Sequence, residues 1–186
     1  HCISLSKAGL PGERVGMAIG DEKIIQILEA FQTNLCIHSS RYGQAIAARA
    51  IRSGALANIA ANTIRPHYQS KFAVLEDTLT KAMPNKVPWR LHRGEGAIFA
   101  WLWFDNLPMT DWEFYNELKK YGVIIVPGSP FFPGLTSSLK GKDWPHMRQC
   151  FRLSLTATED QIVTAIKHLA TLTDKVYSAQ PVLATA

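Results

Sequence analysis

Cysteine is scarce in this sequence of 186 residues: there are three, Cys2, Cys36 and Cys150, so one must stay unpaired, and none stands in a C-x-x-C pair. That excludes a disulfide-stapled scaffold and points to a reducing, cytoplasmic setting. Long apolar runs are lacking as well. The longest covers residues 97–104, far short of the roughly 20 residues that a bilayer-spanning helix needs, so no membrane association is expected. No basic run exceeds two residues, which argues against a nucleic-acid stripe. The six histidines have no metal-ligand spacing, so no metal is expected. There is no internal repeat and no low-complexity block. Neither a signal peptide nor an initiator methionine opens the chain. It starts at His1-Cys2-Ile3, already strand-like, and reads as a piece of a longer protein.

What is present suits a packed core: 47% hydrophobic residues, 10% aromatic and 19% charged. The length corresponds to one domain, or one and a fraction. Twenty Lys and Arg against fifteen Asp and Glu give a net charge of +5, which permits an anionic partner such as a phosphate cofactor or a carboxylate without requiring one.

Residues 2–6 read as a short strand entering a turn crowded by Gly9, Pro11 and Gly12, and residues 15–19 as a second strand. Asp21 can cap a helix with Ile24, Ile25, Leu28 and Phe31 on one face, and residues 40–53 form another. A long helical pattern follows through Ile64, Tyr68, Phe72, Leu75, Leu79 and Met83, with Pro84 ending it and Pro66 starting or kinking it. The boundary between two domains is expected there, residues 1–60 closing one and 61–186 forming the other. Beyond it β and α alternate. Residues 97–104 are apolar on both sides and predict a strand buried on both faces, with Trp101 and Trp103 in the core. Thr110 and Glu113 form a capping box for a helix ending at Gly122. Residues 123–126 predict a short buried strand, and residues 127–145 a loop rich in Pro, Gly and Ser. Residues 149–155 alternate, with Phe151, Leu153 and Leu155 on one side and Cys150, Arg152 and Ser154 on the other. Thr158 and Gln161 cap a last helix that buries Ile162, Ile166 and Leu169, before a frayed tail from Ser178.

The densest chemistry lies between Ser4 and Gly16. Lys7 stands at the mouth of a strand, Ser4 and Ser6 precede it, and Arg14 follows across a tight turn. Hydroxyls and a guanidinium suit a phosphate, and a lysine beside another cation has its pKa pushed down, freeing its amine as a nucleophile. On spacing alone, a solvated lysine and arginine in a glycine turn is the favoured reading.

The pattern S-x-S-K followed by L-P-G-x-R-x-G resembles the lysine motif of pyridoxal-phosphate-dependent aminotransferases of the aspartate aminotransferase fold, class I and II. The resemblance implies an α/β fold: the end of the large cofactor-binding domain of fold type I, followed by a small α+β domain. It implies that Lys7 carries pyridoxal 5′-phosphate covalently and that Ser4 and Arg14 bind its phosphate, with Ser6 beside them. The segment from Met147 to Ser154 is similar to the strand whose arginine binds the substrate α-carboxylate. Arg152, within the strand, is preferred over Arg148 at its entry. Residues 94–99 resemble the small-domain strand. Residues 122–134 resemble the loop that approaches the substrate, where Phe131 either lines the substrate side-chain pocket or packs in the core. The series F-F-P-G, W-P-H and Q-C-x-R is most similar to the valine–pyruvate branch of the family. The implied activity is transfer of an amino group between an amino acid and a 2-oxo acid, with valine and 2-oxoisovalerate exchanging against alanine and pyruvate, in a homodimer. The resemblance covers only the carboxy-terminal half of such an enzyme, so the chain is not expected to be active alone. Two other readings stay open: a lyase of the same fold, and the effector-sensing domain of a transcription regulator.

Overall fold

The computed structural model describes residues 1–94, 98–135 and 144–179. Residues 95–97 of the glycine-led strand, residues 136–143 of the Pro/Gly/Ser-rich loop and the tail from residue 180 lie outside them. The chain divides into two compact units, His1–His67 and Tyr68–Ala186.

In the first unit, β1 (Cys2–Ser4) and β2 (Gly16–Ala18) pair antiparallel, with Ile3 opposite Met17 and Ser4 opposite Gly16. The strand expected over residues 2–6 stops at Ser4, because Leu5–Lys7 closes into a 3-10 turn. The helix α1 (Glu22–Cys36) starts where expected, the Asp21 carboxylate accepting from the Lys23 N–H at 3.0 Å. Ser40 caps α2 (Arg41–Arg52) through the Gly43 N–H at 3.1 Å. A small core forms from Leu5, Val15 and Ala47. α2 can approach it because residue 43 is glycine: a Cβ there would lie 2.8 Å from the Val15 side chain. Gly54, at φ +72°, turns the chain into α3 (Ala55–Ile59), which runs into a π-helical stretch over Ala60–Ile64. Pro66 follows at the second residue of α4 (Arg65–Ala82). Its ring has no N–H to return to Asn62 and would crowd that carbonyl in a regular α-helix. The π stretch relaxes the preceding turn instead of breaking it.

The second unit is a four-stranded antiparallel sheet in the order β3 (Trp89–Leu91), β4 (Phe99–Phe104), β6 (Cys150–Ser154), β5 (Val126–Pro127). Helices α5 (Asp111–Lys119) and α6 (Glu159–Ser178) and the C-terminal part of α4 join one core with the sheet, through Leu75, Leu79, Phe114, Leu118, Ile162, Ile166 and Leu169. Both expected capping boxes form: Glu113 accepts from the Thr110 N–H at 2.8 Å, and Gln161 from the Thr158 N–H at 3.0 Å.

The part of the 97–104 run that forms β4, Phe99–Phe104, is not buried on both faces. Within β4, Ala100, Leu102 and Phe104 are buried, whereas Phe99, Trp101 and Trp103 are half-buried. The helices cover one face of the strand. The other carries large rings whose rims stay accessible, and Trp103 satisfies its indole N–H on the Gln149 side-chain oxygen at 3.2 Å. The short strand expected over residues 123–126 is displaced to Val126–Pro127, with Ile125 buried and Ile124 exposed before it. No helix among the described residues is long and apolar enough to cross a membrane.

Candidate functional site

Each unit holds one cluster of the predicted residues. In the first, the Ser4 hydroxyl caps the 3-10 turn by accepting from the Ser6 N–H at 3.3 Å. The turn is pinned from both sides: the Leu5 N–H donates to Val15 and the Ala8 and Leu10 N–H groups donate to Leu5, each at 3.1 Å. Lys7 is its last residue and is exposed. Gly9 has φ +116°, a conformation open to glycine. Arg14 has φ +54°, uncommon for a side-chain-bearing residue and characteristic of functional sites. Its guanidinium donates to the Ser6 hydroxyl at 3.3 Å. It is therefore Ser6, rather than Ser4, that touches Arg14. Among the described residues Arg14 has no ion-pair partner. Two hydroxyls and a guanidinium around one pinned turn that ends at Lys7 form a donor set suited to a phosphate.

The second cluster lies on the ring-bearing face of the sheet. Arg152, in mid-strand of β6, stands opposite Trp101 of β4. Its guanidinium carbon is 4.2 Å from the Phe99 ring centre and 5.0 Å from that of Phe131. Phe131 meets Trp101 edge-on at 5.4 Å and is 43% exposed, so it is not a core residue. Arg148 ends a separate 3-10 turn, Pro145–Arg148, and is exposed.

The loop bearing Phe131 is held by residues that the sequence reading left without a role. Asp111, 1% exposed, accepts from the Ser129 N–H at 2.8 Å, and the Trp112 indole donates to the Ser129 hydroxyl at 3.2 Å. Gly128 lets the loop pass against β6: a Cβ there would lie 2.5 Å from the Cys150 carbonyl oxygen and 2.7 Å from its Cβ. Both are strand atoms that cannot give way. Gly128→Ala is therefore expected to displace the loop and to lower stability by about 1–3 kcal/mol, read as a fall in the denaturant midpoint with the m-value unchanged.

Cys150 lies beneath the rings, its sulfur 3.5 Å from His146 Nε2. Burial pushes its thiol pKa up to about 11. The thiolate is the reactive form, so at pH 8 Cys150 stays a neutral thiol. Iodoacetamide at that pH is expected to modify the exposed Cys2 and Cys36, and to reach Cys150 only after denaturation, as followed by peptide mass spectrometry.

Residues 1–169 match the family model described as aminotransferase class I and II. The chain belongs to that family. It is 36% identical over 169 residues to valine–pyruvate aminotransferase of Escherichia coli (strain K12), covering 91% of this chain and 39% of that one. The crystal structure of valine–pyruvate aminotransferase from Salmonella typhimurium LT2 superposes with a TM-score of 0.79 at 32% identity, covering 96% of this chain and 45% of that one. Kynurenine aminotransferase from Pyrococcus horikoshii, solved in complex with PMP, superposes with a TM-score of 0.74 at 26% identity over 97% and 41% of the two chains. The chain thus spans less than half the length of the relatives it matches. The α/β fold of this aminotransferase family, fold type I, is the one expected from the lysine motif.

Phe99, Asp111 and Gly128 are what the residue-by-residue reading missed. Phe99 was legible only through strand phase, since it shares a face with Trp101 and hence with Arg152. Asp111 read as part of a helix start, and nothing local marked its carboxylate as the anchor of a loop 18 residues away.

Proposed function

We propose that the protein to which this chain belongs is a pyridoxal-phosphate-dependent aminotransferase exchanging an amino group between an amino acid and a 2-oxo acid, with valine and 2-oxoisovalerate on one side and alanine and pyruvate on the other. The observation that carries the reading is the turn of Ser4, Ser6, Lys7 and Arg14. Its hydroxyls and guanidinium suit a phosphate, and Lys7 is the last residue of the same turn.

The cofactor of the family is pyridoxal 5′-phosphate, which when bound withdraws electrons from the substrate Cα. Ser4, Ser6 and Arg14 bind its phosphate, and Lys7 is the residue that carries it covalently. The Lys7 amine would also take the proton from the substrate Cα. Arg152 receives the substrate α-carboxylate through two parallel N–H bonds and so fixes the direction of the Cα–H bond. Phe131 lines the space for the side chain. An aromatic wall suits an apolar group such as that of valine. The proposal includes a homodimer, supported by the exposed Ile24, Ile27, Phe31 and Leu35 of α1, which need covering. It also includes a cytoplasmic setting, supported by three free cysteines. Domain boundaries at residues 1–60 and 61–186 belong to the same reading. The relatives described above are aminotransferases, which favours transfer over a lyase or an effector-sensing role.

The test is incubation of the holoenzyme with L-valine and pyruvate. Alanine and 2-oxoisovalerate are expected in equal amounts by chiral chromatography and mass spectrometry. Release of ammonia or carbon dioxide without alanine would falsify the reading.

A further inference from the structure

We infer that Phe99 and Phe131 are positioning residues for Arg152, holding its guanidinium by their ring faces so that its N–H groups stay available to a substrate carboxylate. The inference rests on the proposed role of Arg152 as the carboxylate site.

A half-buried guanidinium must be compensated. Most often a carboxylate does this, but a carboxylate partner occupies the same N–H fork that a carboxylate substrate needs. Among the described residues Arg152 has neither an ion pair nor a side-chain hydrogen bond, and its partners are the two rings at 4.2 and 5.0 Å. A ring attracts a cation through its negative face and takes up no N–H. The charge is thus stabilised while the hydrogen-bonding edge stays unspent.

The two rings are placed by independent devices. Phe99 belongs to β4, two residues before Trp101, the register partner of Arg152, so it sits diagonally across the ladder on the same face. Phe131 belongs to the loop that Asp111 holds by the Ser129 N–H, and it is braced edge-on by Trp101. One ring is therefore fixed by the sheet, and the other is set by the loop.

The test uses the holoenzyme and 3-methylbutanoate, a carboxylate with the valine skeleton but no amino group to transfer, titrated by calorimetry. Phe99→Leu and Phe131→Leu keep an apolar side chain and remove the ring. Each is expected to raise the Kd for 3-methylbutanoate about tenfold, with the affinity for pyridoxal phosphate unchanged. Phe99→Tyr, which keeps the ring face, should bind as the parent does. If both leucine variants bind 3-methylbutanoate as the parent does while Arg152→Ala does not, the positioning inference is overturned and Arg152 remains the carboxylate site. A leucine variant that loses cofactor and carboxylate together overturns it too, since the rings would then serve the fold. If Arg152→Ala itself keeps full affinity, the reading of Arg152 fails, and this inference with it.

Discussion

Lys7→Ala is expected to lower turnover of the holoenzyme by at least roughly a thousandfold, the scale of losing a positioned general base, while cofactor affinity falls far less. The two effects separate because the residues separate. In the proposed site Ser4, Ser6 and Arg14 are the phosphate ligands, through hydroxyl and guanidinium, and the Ser6–Arg14 contact at 3.3 Å does not involve the Lys7 side chain. Lys7→Arg should not restore turnover, because a guanidinium keeps its proton at any working pH and cannot accept one from Cα. Borohydride treatment of the holoenzyme followed by peptide mapping is expected to leave a pyridoxyl group on the peptide containing Lys7. Lys71 is an implausible competitor on structural grounds, its amine being engaged by the Ala157 carbonyl at 2.6 Å. Pyridoxyl found on Lys23 or Lys71 instead would remove Lys7 from the role.

Local, short-range signals translated into structure well. Thr110 and Glu113, and Thr158 and Gln161, are three apart in each pair, and a capping box needs nothing beyond that turn to form. Asp21 likewise caps α1 with its own neighbour's N–H. The phase of residues 149–155 also held, placing Phe151 and Leu153 inward and Arg152 on the other face. Signals that depend on what lies across the sheet did not translate. Residues 97–104 carry no polar residue to mark an outer face, so period-2 alternation was invisible. Only the helices packed on one side divide the run into Ala100, Leu102 and Phe104 within and Phe99, Trp101 and Trp103 without. β3, at the edge, is three residues long with a central arginine, too short to show a pattern.

The same division runs through the site. Ser4, Ser6, Lys7 and Arg14 lie within eleven residues of sequence, and one hairpin with its turn gathers them, so the cluster was readable from spacing and motif. The surroundings of Arg152 come from three distant pieces of chain: β4, β6 and the loop over Ser129–Phe131. Pairing register sets them together, and register is a property of the folded sheet. Gly128 shows this most directly. Its φ is −80°, so no conformational demand selects glycine there. The demand is steric and comes from Cys150, 22 residues later, which local sequence cannot announce.

Arg152→Ala should lower kcat/KM for amino-acid and 2-oxo-acid substrates alike, because both present a carboxylate. Losing a charge-assisted, two-bond contact in a desolvated site costs about 2–5 kcal/mol, or roughly 30- to 5,000-fold in kcat/KM. The fold should tolerate the change. Arg152 makes no ion pair among the described residues, and its cation–π contacts with Phe99 and Phe131 are worth about 0.5–1 kcal/mol each at accessible positions, so the shift in Tm should be a few degrees at most. Arg152→Lys should recover only part of the loss. An ammonium on a flexible stem restores the charge but neither the planar fork nor the stacking surface that the rings hold. Arg148→Ala serves as the control, since Arg148 lies on the 3-10 turn before the strand and off the ladder that aligns Arg152 with Trp101. The measurement is steady-state kinetics on both half-reactions for the three variants. If Arg148→Ala proves damaging and Arg152→Ala neutral, the carboxylate is bound at the entry of the strand, and the ring-flanked arginine is there for the fold.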